Sequence, residues 1–478
     1  MSSRRRSSTS RRSRRAERRS RAVDLIAKYL DVVELSDPIK YTGRVTKVQG
    51  LLVESRGPQA VVGELCQILL PRLGTVAWAE VAGIRDETVQ LMSYSGLNGI
   101  EAGCTVIATG EMLRVPVSDK LLGRVLDSMG KPLDGKGDIA SPEYYPAVAS
   151  PPDALTRKRI RKRISSGIRS MDGLLPLGRG QRIGIFAGSG VGKSTMLGMM
   201  ARNTNADINV IALIGERGRE VREFIENDLG EEGLARSIVI VSTSDTPPLA
   251  RLRGAYVATA VAEYFRDRGL DVLLLFDSVT RFARAQREIG LAIGEPPTTR
   301  GYTPSVFDSL PKLLERSGTS LKGSITGVYT ILVDGDDMDE PIADTVRGIL
   351  DGHIVLSRKM AERYHYPAVD VLKSISRLSQ AVTGPITQKA MGIVRRLMAT
   401  YEESEDMISI GAYVKGTNAG IDEAIAKHDA IESFLMQGVA EKAPIADTIK
   451  RLGDIAGLSI PVSELAAFAE PDRVKASP

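Results

Sequence analysis

Ala187-Gly188-Ser189-Gly190-Val191-Gly192-Lys193-Ser194 lies between the apolar run 183–186 and the helical pattern 193–203. A strand, a Gly-rich loop ending in Lys-Ser and a helix together make a phosphate-binding loop, here with Ala where the strict pattern has its first Gly. The glycines let consecutive amides curl around a β-phosphate, at a helix N-terminus that already favours anions. Lys193 then reaches the β- and γ-phosphates, and the Ser194 hydroxyl ligates Mg²⁺. The bland alternative is a Gly-rich turn with a chance Lys-Ser. The flanking strand and helix weigh against it.

Outward from this loop, apolar runs at 208–214, 237–241, 272–276, 325–333 and 353–356 alternate with helical patterns such as 249–268. Continuous apolar strands between helices predict an α/β core with a mainly parallel sheet covered on both faces. Asp277 ends the 272–276 run, where a carboxylate can hold the Mg²⁺ shell or simply cap a helix. Glu216 follows the 208–214 run in Gly215-Glu216-Arg217-Gly218-Arg219-Glu220. In a parallel sheet both carboxylates reach the C-terminal edge, where the phosphates lie. There Glu216 can orient and polarise an attacking water; its alternative is a surface salt bridge with Arg217 or Arg219.

The flanks of the core read differently. Residues 1–21 are Arg/Ser low complexity, too polar to offset ordering entropy, and are expected to be a disordered tail. In 22–40, Ala22, Val23, Leu25, Ile26, Tyr29, Leu30 and Val33 fall at helical spacing and predict an amphipathic helix. Short β-branched runs separated by Gly predict a small β-barrel over 41–112, and Pro/Gly-punctuated 113–165 reads as a connector. The core spans 166–378. Over 379–478 the strands stop, and two apolar helical patterns, 390–401 and 421–435, predict a helical domain with an extension after about 437.

Composition narrows the chemistry. A chain of 478 residues exceeds the roughly 250–300 that one core supports, so two or three domains are expected. Two Cys and three His cannot build a disulfide framework or a zinc cluster, so chemistry rests on carboxylates, Lys, Arg, hydroxyls and amides. With no apolar run of membrane-spanning length and no signal-peptide pattern, a soluble, cytosolic protein is expected. Residues 1–22 hold ten Arg against Glu17, so the total of +5 leaves the other 456 residues at −4. The basic character belongs to the tail, which removes the main support for whole-protein nucleic-acid binding.

Segments 184–195, 214–220, 277–290 and 294–316 together resemble the type III protein-export ATPases of flagella and injectisomes, relatives of the rotary ATP synthase catalytic subunit. The most specific stretch is Asp277-Ser278-Val279-Thr280-Arg281-Phe282-Ala283-Arg284-Ala285-Gln286-Arg287-Glu288-Ile289-Gly290. It is followed by Gly294-Glu295-Pro296-Pro297 and Gly301-Tyr302-Thr303-Pro304-Ser305, and the likeness runs from about 40 to 437. It implies a β-barrel, a RecA-like core and a helical domain, assembled as a homohexamer with active sites between subunits.

The resemblance also implies roles. Gly188 to Ser194 and Thr195 hold ATP, Ser194 and Asp277 (through water) hold Mg²⁺, and Glu216 activates water. Arg217 and Arg281 match arginines near the phosphates, and Tyr366 matches the aromatic that packs on adenine; its alternative is a core Tyr. Arg377, in Ser374-Ile375-Ser376-Arg377, matches the arginine finger that reaches into a neighbour's site. Such fingers contribute on the order of 10³–10⁵ in rate, so a lone subunit is expected to hydrolyse poorly.

Implied partners are a stator-like regulator docking on the 22–33 helix, a central coiled-coil stalk, the membrane-embedded export gate and chaperone–cargo complexes. The expected location is the cytoplasmic face of the inner membrane, with peripheral contact through the Arg-rich tail and no specific nucleic acid. Asp334, Asp336, Asp337, Asp339 and Glu340 invite a metal reading, but in the family this acidic loop faces the central pore. The basic run 157–163 reads as a solvated or inter-subunit face rather than a nucleic-acid patch.

Three other functions compete. A rotary synthase subunit lacks support because no acidic Asp-Glu-Leu-Ser-type lever segment is present. An RNA translocase needs stacking surface, and 42–110 offers only Trp78 and Tyr94. A regulatory subunit without turnover is disfavoured by the joint presence of Glu216, Lys193 and Arg377. Between flagellum and injectisome, 405–413 with Gly416 and 421–425 looks more like the flagellar branch.

Overall fold

Six strands in the N-terminal part close on themselves in the spatial order Thr42–Gln49, Leu52–Arg56, Thr88–Ser93, Thr75–Arg85, Glu64–Leu70, Thr105–Met112. The computed structural model describes residues 41–466 apart from 334 and 336, so the expected tail and amphipathic helix, and part of the acidic loop, lie outside the described residues. Alternation along the strands turns Val53, Ile68, Leu91 and Val106 inward, together with both cysteines. Closure leaves no open strand edge. The barrel is fastened to the core by Glu80, which is buried and accepts the Tyr94 hydroxyl at 2.8 Å and the Arg253 Nε at 2.8 Å.

The core sheet has nine strands. Its main path runs Val369–Ser376, Gly352–Leu356, Arg182–Ala187, Ser324–Leu332, Asp271–Asp277, Ile208–Glu216, Ser237–Thr243, Val125–Leu126. All neighbours on this path are parallel except the first pair. Period-two alternation sends Phe186, Val210, Ala212 and Ile214 to one face, against the helices Pro248–Asp267 and Val279–Ile293. It sends Ile185, Ile211 and Leu213 to the other, against Lys193–Asn203 and the C-terminal helices. Two cores on one sheet explain why its strands read as unbroken apolar runs.

Several strands went unanticipated, among them Glu64–Leu70 and Thr75–Arg85 of the barrel. The edge strand Val369–Ser376 is buried on one side only, so Asp370 and Lys373 interrupt its apolar pattern. Residues 113–165, expected to be a connector, carry Arg114–Val117 paired with Glu143–Pro146, and Val125–Leu126 extends the core sheet. Such two- to four-residue strands are too short to show a period.

After the sheet the described residues form four α-helices, Pro385–Ser409, Ala419–Leu435, Ile445–Ala456 and the short Val462–Ala466. Pro385 starts the first at the position where its missing N–H is harmless. The Glu464 carboxylate accepts from the amides of Ile386 (3.1 Å) and Thr387 (2.9 Å), capping that helix from a distant segment. Asn418 caps the second through Gly420 N–H at 2.9 Å.

Of the basic run, Arg157 and Arg163 turn inward while Lys158, Arg159, Arg161 and Lys162 face solvent. Arg157 donates to the Ser317 carbonyl at 2.8 Å, so part of this charge serves the fold. Among the described residues no helix is long and apolar enough to cross a membrane.

Arg316 is fully buried and forks onto Glu263, with Nε–Oε1 at 3.0 Å and Nη2–Oε2 at 2.5 Å, while Nη1 holds the Ala147 carbonyl at 2.7 Å. Removing one partner strands a buried charge. Arg316→Ala should lower stability by about 3–5 kcal/mol, read from the urea midpoint, and the double change Arg316→Met with Glu263→Leu should recover most of it. Equal losses in single and double variants would place the effect in packing.

Candidate active site

The Arg182–Ala187 strand delivers the phosphate loop at the C-terminal edge of the sheet, and the helix Lys193–Asn203 leaves from it. Gly190 (φ +78°) and Gly192 (φ +83°) sit in the left-handed region, which lets the backbone curl. A Cβ on Gly192 would also lie 3.4 Å from the Tyr366 ring, so this glycine lets the aromatic approach the loop. Val191 is buried, and Ser194 is exposed in the first helical turn.

Parallel register pairs Leu213 with Asp277, bringing the ends of the two carboxylate-bearing strands together. Lys193 Nζ lies 2.5 Å from Asp277 Oδ1 and 3.7 Å from Glu216 Oε1. Asp277 is itself buried and accepts the Thr330 hydroxyl at 2.7 Å. Thr330 comes from the next strand, whose register sets Tyr329 beside Phe276.

The electrostatics follow from burial. Desolvation first, and the negative charge of Asp277 second, push the Glu216 carboxyl up to about 7, against the pull of Lys193. Burial alone would lower the Lys193 ammonium, but Asp277 and Glu216 outweigh it and raise it. No hydrogen-bond donor reaches the buried Glu216 Oε1. A buried carboxylate oxygen that lacks a hydrogen-bond donor, beside a phosphate loop, is suited to hold a water.

Arg281 enters from the first turn of Val279–Ile293, with Ser278 capping that helix. Its side chain runs over Gly215 (φ +73°), where an added Cβ would come within 2.8 Å of Arg281 Cβ. Arg281 Nε is buried without a hydrogen-bond partner. Arg217 stands apart: it is exposed and pairs with Glu220 at 2.8 Å, while Arg219 pairs with Glu223 at 2.9 Å. The salt bridges that competed for Glu216 are thus made elsewhere. Thr195 lies near Asp228 on the neighbouring segment and opposes the rise that burial gives that carboxyl.

Beside the loop opens a cavity of about 420 Å³ lined by Gly192, Met196, Met199, Tyr366, Pro367 and Val439, among others. Tyr366 is 38% exposed at its wall rather than buried in the core. Arg377 lies elsewhere. Leu356 pairs with both Ala187 and Val369, whereas Gly352 pairs with Ser376, so Arg377 follows the strand end opposite the phosphate loop. Its side chain is exposed, and its backbone N–H donates to Asp351 O at 3.0 Å. Sequence reading missed Thr330 and the Gln437-Gly438-Val439 wall of the cavity. Only strand register and tertiary packing bring them there.

Residues 167–376 match the family model of the ATP synthase alpha/beta family nucleotide-binding domain, and 45–110 that of the same family's beta-barrel domain. Residues 383–454 match the T3SS EscN ATPase C-terminal domain. The flagellum-specific ATP synthase of Treponema pallidum (strain Nichols) is 58% identical over 437 residues, covering 91% of this chain and 98% of that protein. The type 3 secretion system ATPase of Xanthomonas euvesicatoria is 50% identical over 414 residues, covering 86% and 93%. The assembled ATPase EscN of the enteropathogenic E. coli type III secretion system superposes with a TM-score of 0.83 at 43% identity, over 87% of this chain and all of that one. With all three domains matched and half or more of the residues shared with full-length relatives, the chain belongs to the ATP synthase alpha/beta family, in its branch of type III export ATPases.

Proposed function

We propose that this chain hydrolyses ATP to energise protein export through a flagellar type III apparatus, as a homohexamer with active sites shared between neighbours. The observation that carries the chemistry is the convergence of Lys193, Glu216 and Asp277 at the loop-bearing edge of the sheet. ATP phosphates enter the loop amides and draw Lys193 away from Asp277. A water held by Glu216 Oε1 attacks the γ-phosphorus in line. The new P–O bond forms as the bond to the bridging oxygen of ADP breaks, and Glu216 takes the water's proton. Arg281 compensates charge on the γ-phosphoryl oxygens, and Tyr366 offers the adenine a flat apolar face.

The donor set fits Mg²⁺: a hydroxyl on Ser194 and a buried carboxylate on Asp277 are hard oxygen donors, with space left for phosphate and water oxygens. When bound, the ion neutralises charge on the β- and γ-oxygens. Thr330 orients Asp277 for that task.

Arg377 faces away from its own phosphate loop, which supports a finger acting on a neighbour. The flagellar assignment is supported by identities of 58% and 54% to the flagellum-specific ATP synthases of Treponema pallidum and Bacillus subtilis (strain 168), against 50% to the Xanthomonas secretion ATPase. EscN has been seen with its central stalk EscO. A coiled-coil stalk suits the turn after Pro385–Ser409, where Ile410 and Val414 are exposed. A regulator on residues 22–33, the export gate, chaperone–cargo complexes and peripheral contact with the inner membrane complete the proposed setting.

Lys193→Ala should abolish tight MgATP binding, whereas Glu216→Gln should keep binding and lose turnover; calorimetry and phosphate release separate the two. Normal steady-state hydrolysis by Glu216→Gln would remove it from the water-activating role.

Glu216 must be ionised to accept a proton, and its folded-state value is raised. The kcat/KM for MgATP should therefore fall about tenfold per unit as pH drops below about 7. A profile flat down to pH 5.5 would mean that Glu216 does not limit the free enzyme.

Turnover per subunit should rise with protein concentration. Mixing Arg377→Ala with Lys193→Ala subunits should restore part of the activity, because some interfaces then combine an intact loop with an intact finger. No recovery in hexamers verified by mass would place Arg377 in its own subunit's site.

A further inference from the structure

Two of the three histidines, His365 and His428, line one cleft between the core and the C-terminal helices. His365 is only 7% exposed. Its Nε2 lies 3.3 Å from Glu432 Oε2, on the helix Ala419–Leu435, and its backbone N–H donates to Met360 O at 3.0 Å. The next residue is Tyr366, whose carbonyl accepts from Gln437 N–H at 2.9 Å. Gln437 lies just beyond the same helix as Glu432. Its side chain accepts from Arg169 N–H at 2.7 Å and donates to Gly167 O at 2.9 Å.

Tyr366 is therefore bracketed by one C-terminal segment, through a side-chain pair before it and a backbone bond at it. The ring it carries rests on Gly192. Beside the His365–Glu432 pair the cleft encloses about 390 Å³, with Tyr401 and His428 stacked at 3.7 Å along its other wall. Buried Ile431, Phe434 and Leu435 anchor the helix, and the 3.3 Å charge contact of His365 with Glu432, made without hydrogen-bond geometry, is the polar link between that helix and the segment carrying Tyr366. The phosphate end of the site takes its support from core strands, through Asp277 and Thr330.

We propose that His365 is a positioning residue: paired with Glu432, it sets Tyr366 against the phosphate loop and so ties affinity for the nucleotide base to the position of the C-terminal helices. A load on those helices would then reach the base before the phosphates. The inference rests on the reading of Tyr366 as the base wall.

The test compares a non-hydrolysable ATP analogue with inorganic tripolyphosphate, which has no base, by calorimetry on the full chain. His365→Ala and Glu432→Gln should each weaken the analogue about three- to tenfold, the size of one stacking contact, and leave tripolyphosphate unchanged. The double variant should be no weaker than either single one. The KM for ATP should rise with kcat within about twofold, and Glu432→Asp should recover part of the loss. If His365→Ala unfolds the chain, Glu432→Gln, on a more exposed partner, carries the same test. Equal losses for both ligands, or none for either, would overturn the proposal. Tyr366→Ala separates the two levels. If it lowers the ratio of the two affinities while His365→Ala and Glu432→Gln do not, only the positioning role fails. If Tyr366→Ala leaves the ratio unchanged, the base wall itself is wrong and the proposal falls with it.

Discussion

Four charged groups share a buried edge: the ammonium of Lys193 lies between the carboxylates of Asp277 and Glu216, and the Arg281 guanidinium acts on the same cluster. Burying such a set is costly unless every group is paired, and here the pairing is unequal. Asp277 has Lys193 at 2.5 Å and the Thr330 hydroxyl at 2.7 Å, while one oxygen of Glu216 has no hydrogen-bond donor. The imbalance assigns the roles. The well-held carboxylate is fixed toward the phosphate shell, and the poorly held one is raised to about 7, where it can exchange a proton. Parallel register makes this possible, since it ends neighbouring strands at one edge and gives each a different environment.

The same sheet geometry supports the proposed sharing of sites between subunits. A strand that runs antiparallel to its neighbour carries its last residues away from the phosphate loop, and Arg377 follows that strand. An exposed arginine at the far edge stands away from the phosphate loop of its own subunit, which is why the proposed finger serves a neighbour. The barrel is held to the core by the buried Glu80–Arg253 pair.

Much of this was legible from residue order alone. The loop 187–194 carries its own context, and the strands around it are apolar on both faces, so their limits fall within one or two residues of the expected ones. The helix Lys193–Asn203 begins and ends where its pattern does. What stayed hidden depends on pairing across the fold. Thr330 reads as an ordinary β-former until register sets it beside Asp277. Val369–Ser376 is an edge strand whose outward residues break the apolar run. Gln437 and Val439 reach the nucleotide side only because the C-terminal segment folds back, which no local periodicity can show. Arg217 lies close to Glu216 in sequence, but a free surface let it turn to Glu220.

The central claim is that one subunit supplies the loop, the water-holding carboxylate and the shell carboxylate, while its neighbour supplies the finger. A structure of the assembled protein with MgADP and aluminium fluoride tests it most directly. The account predicts Lys193 shifted from Asp277 onto a fluoride, a water about 3 Å from Glu216 in line with the aluminium, and Arg377 of the adjoining subunit on the fluorides. A complex in which Lys193 stays on Asp277, or in which no neighbouring Arg377 comes within reach of the fluorides, would contradict it.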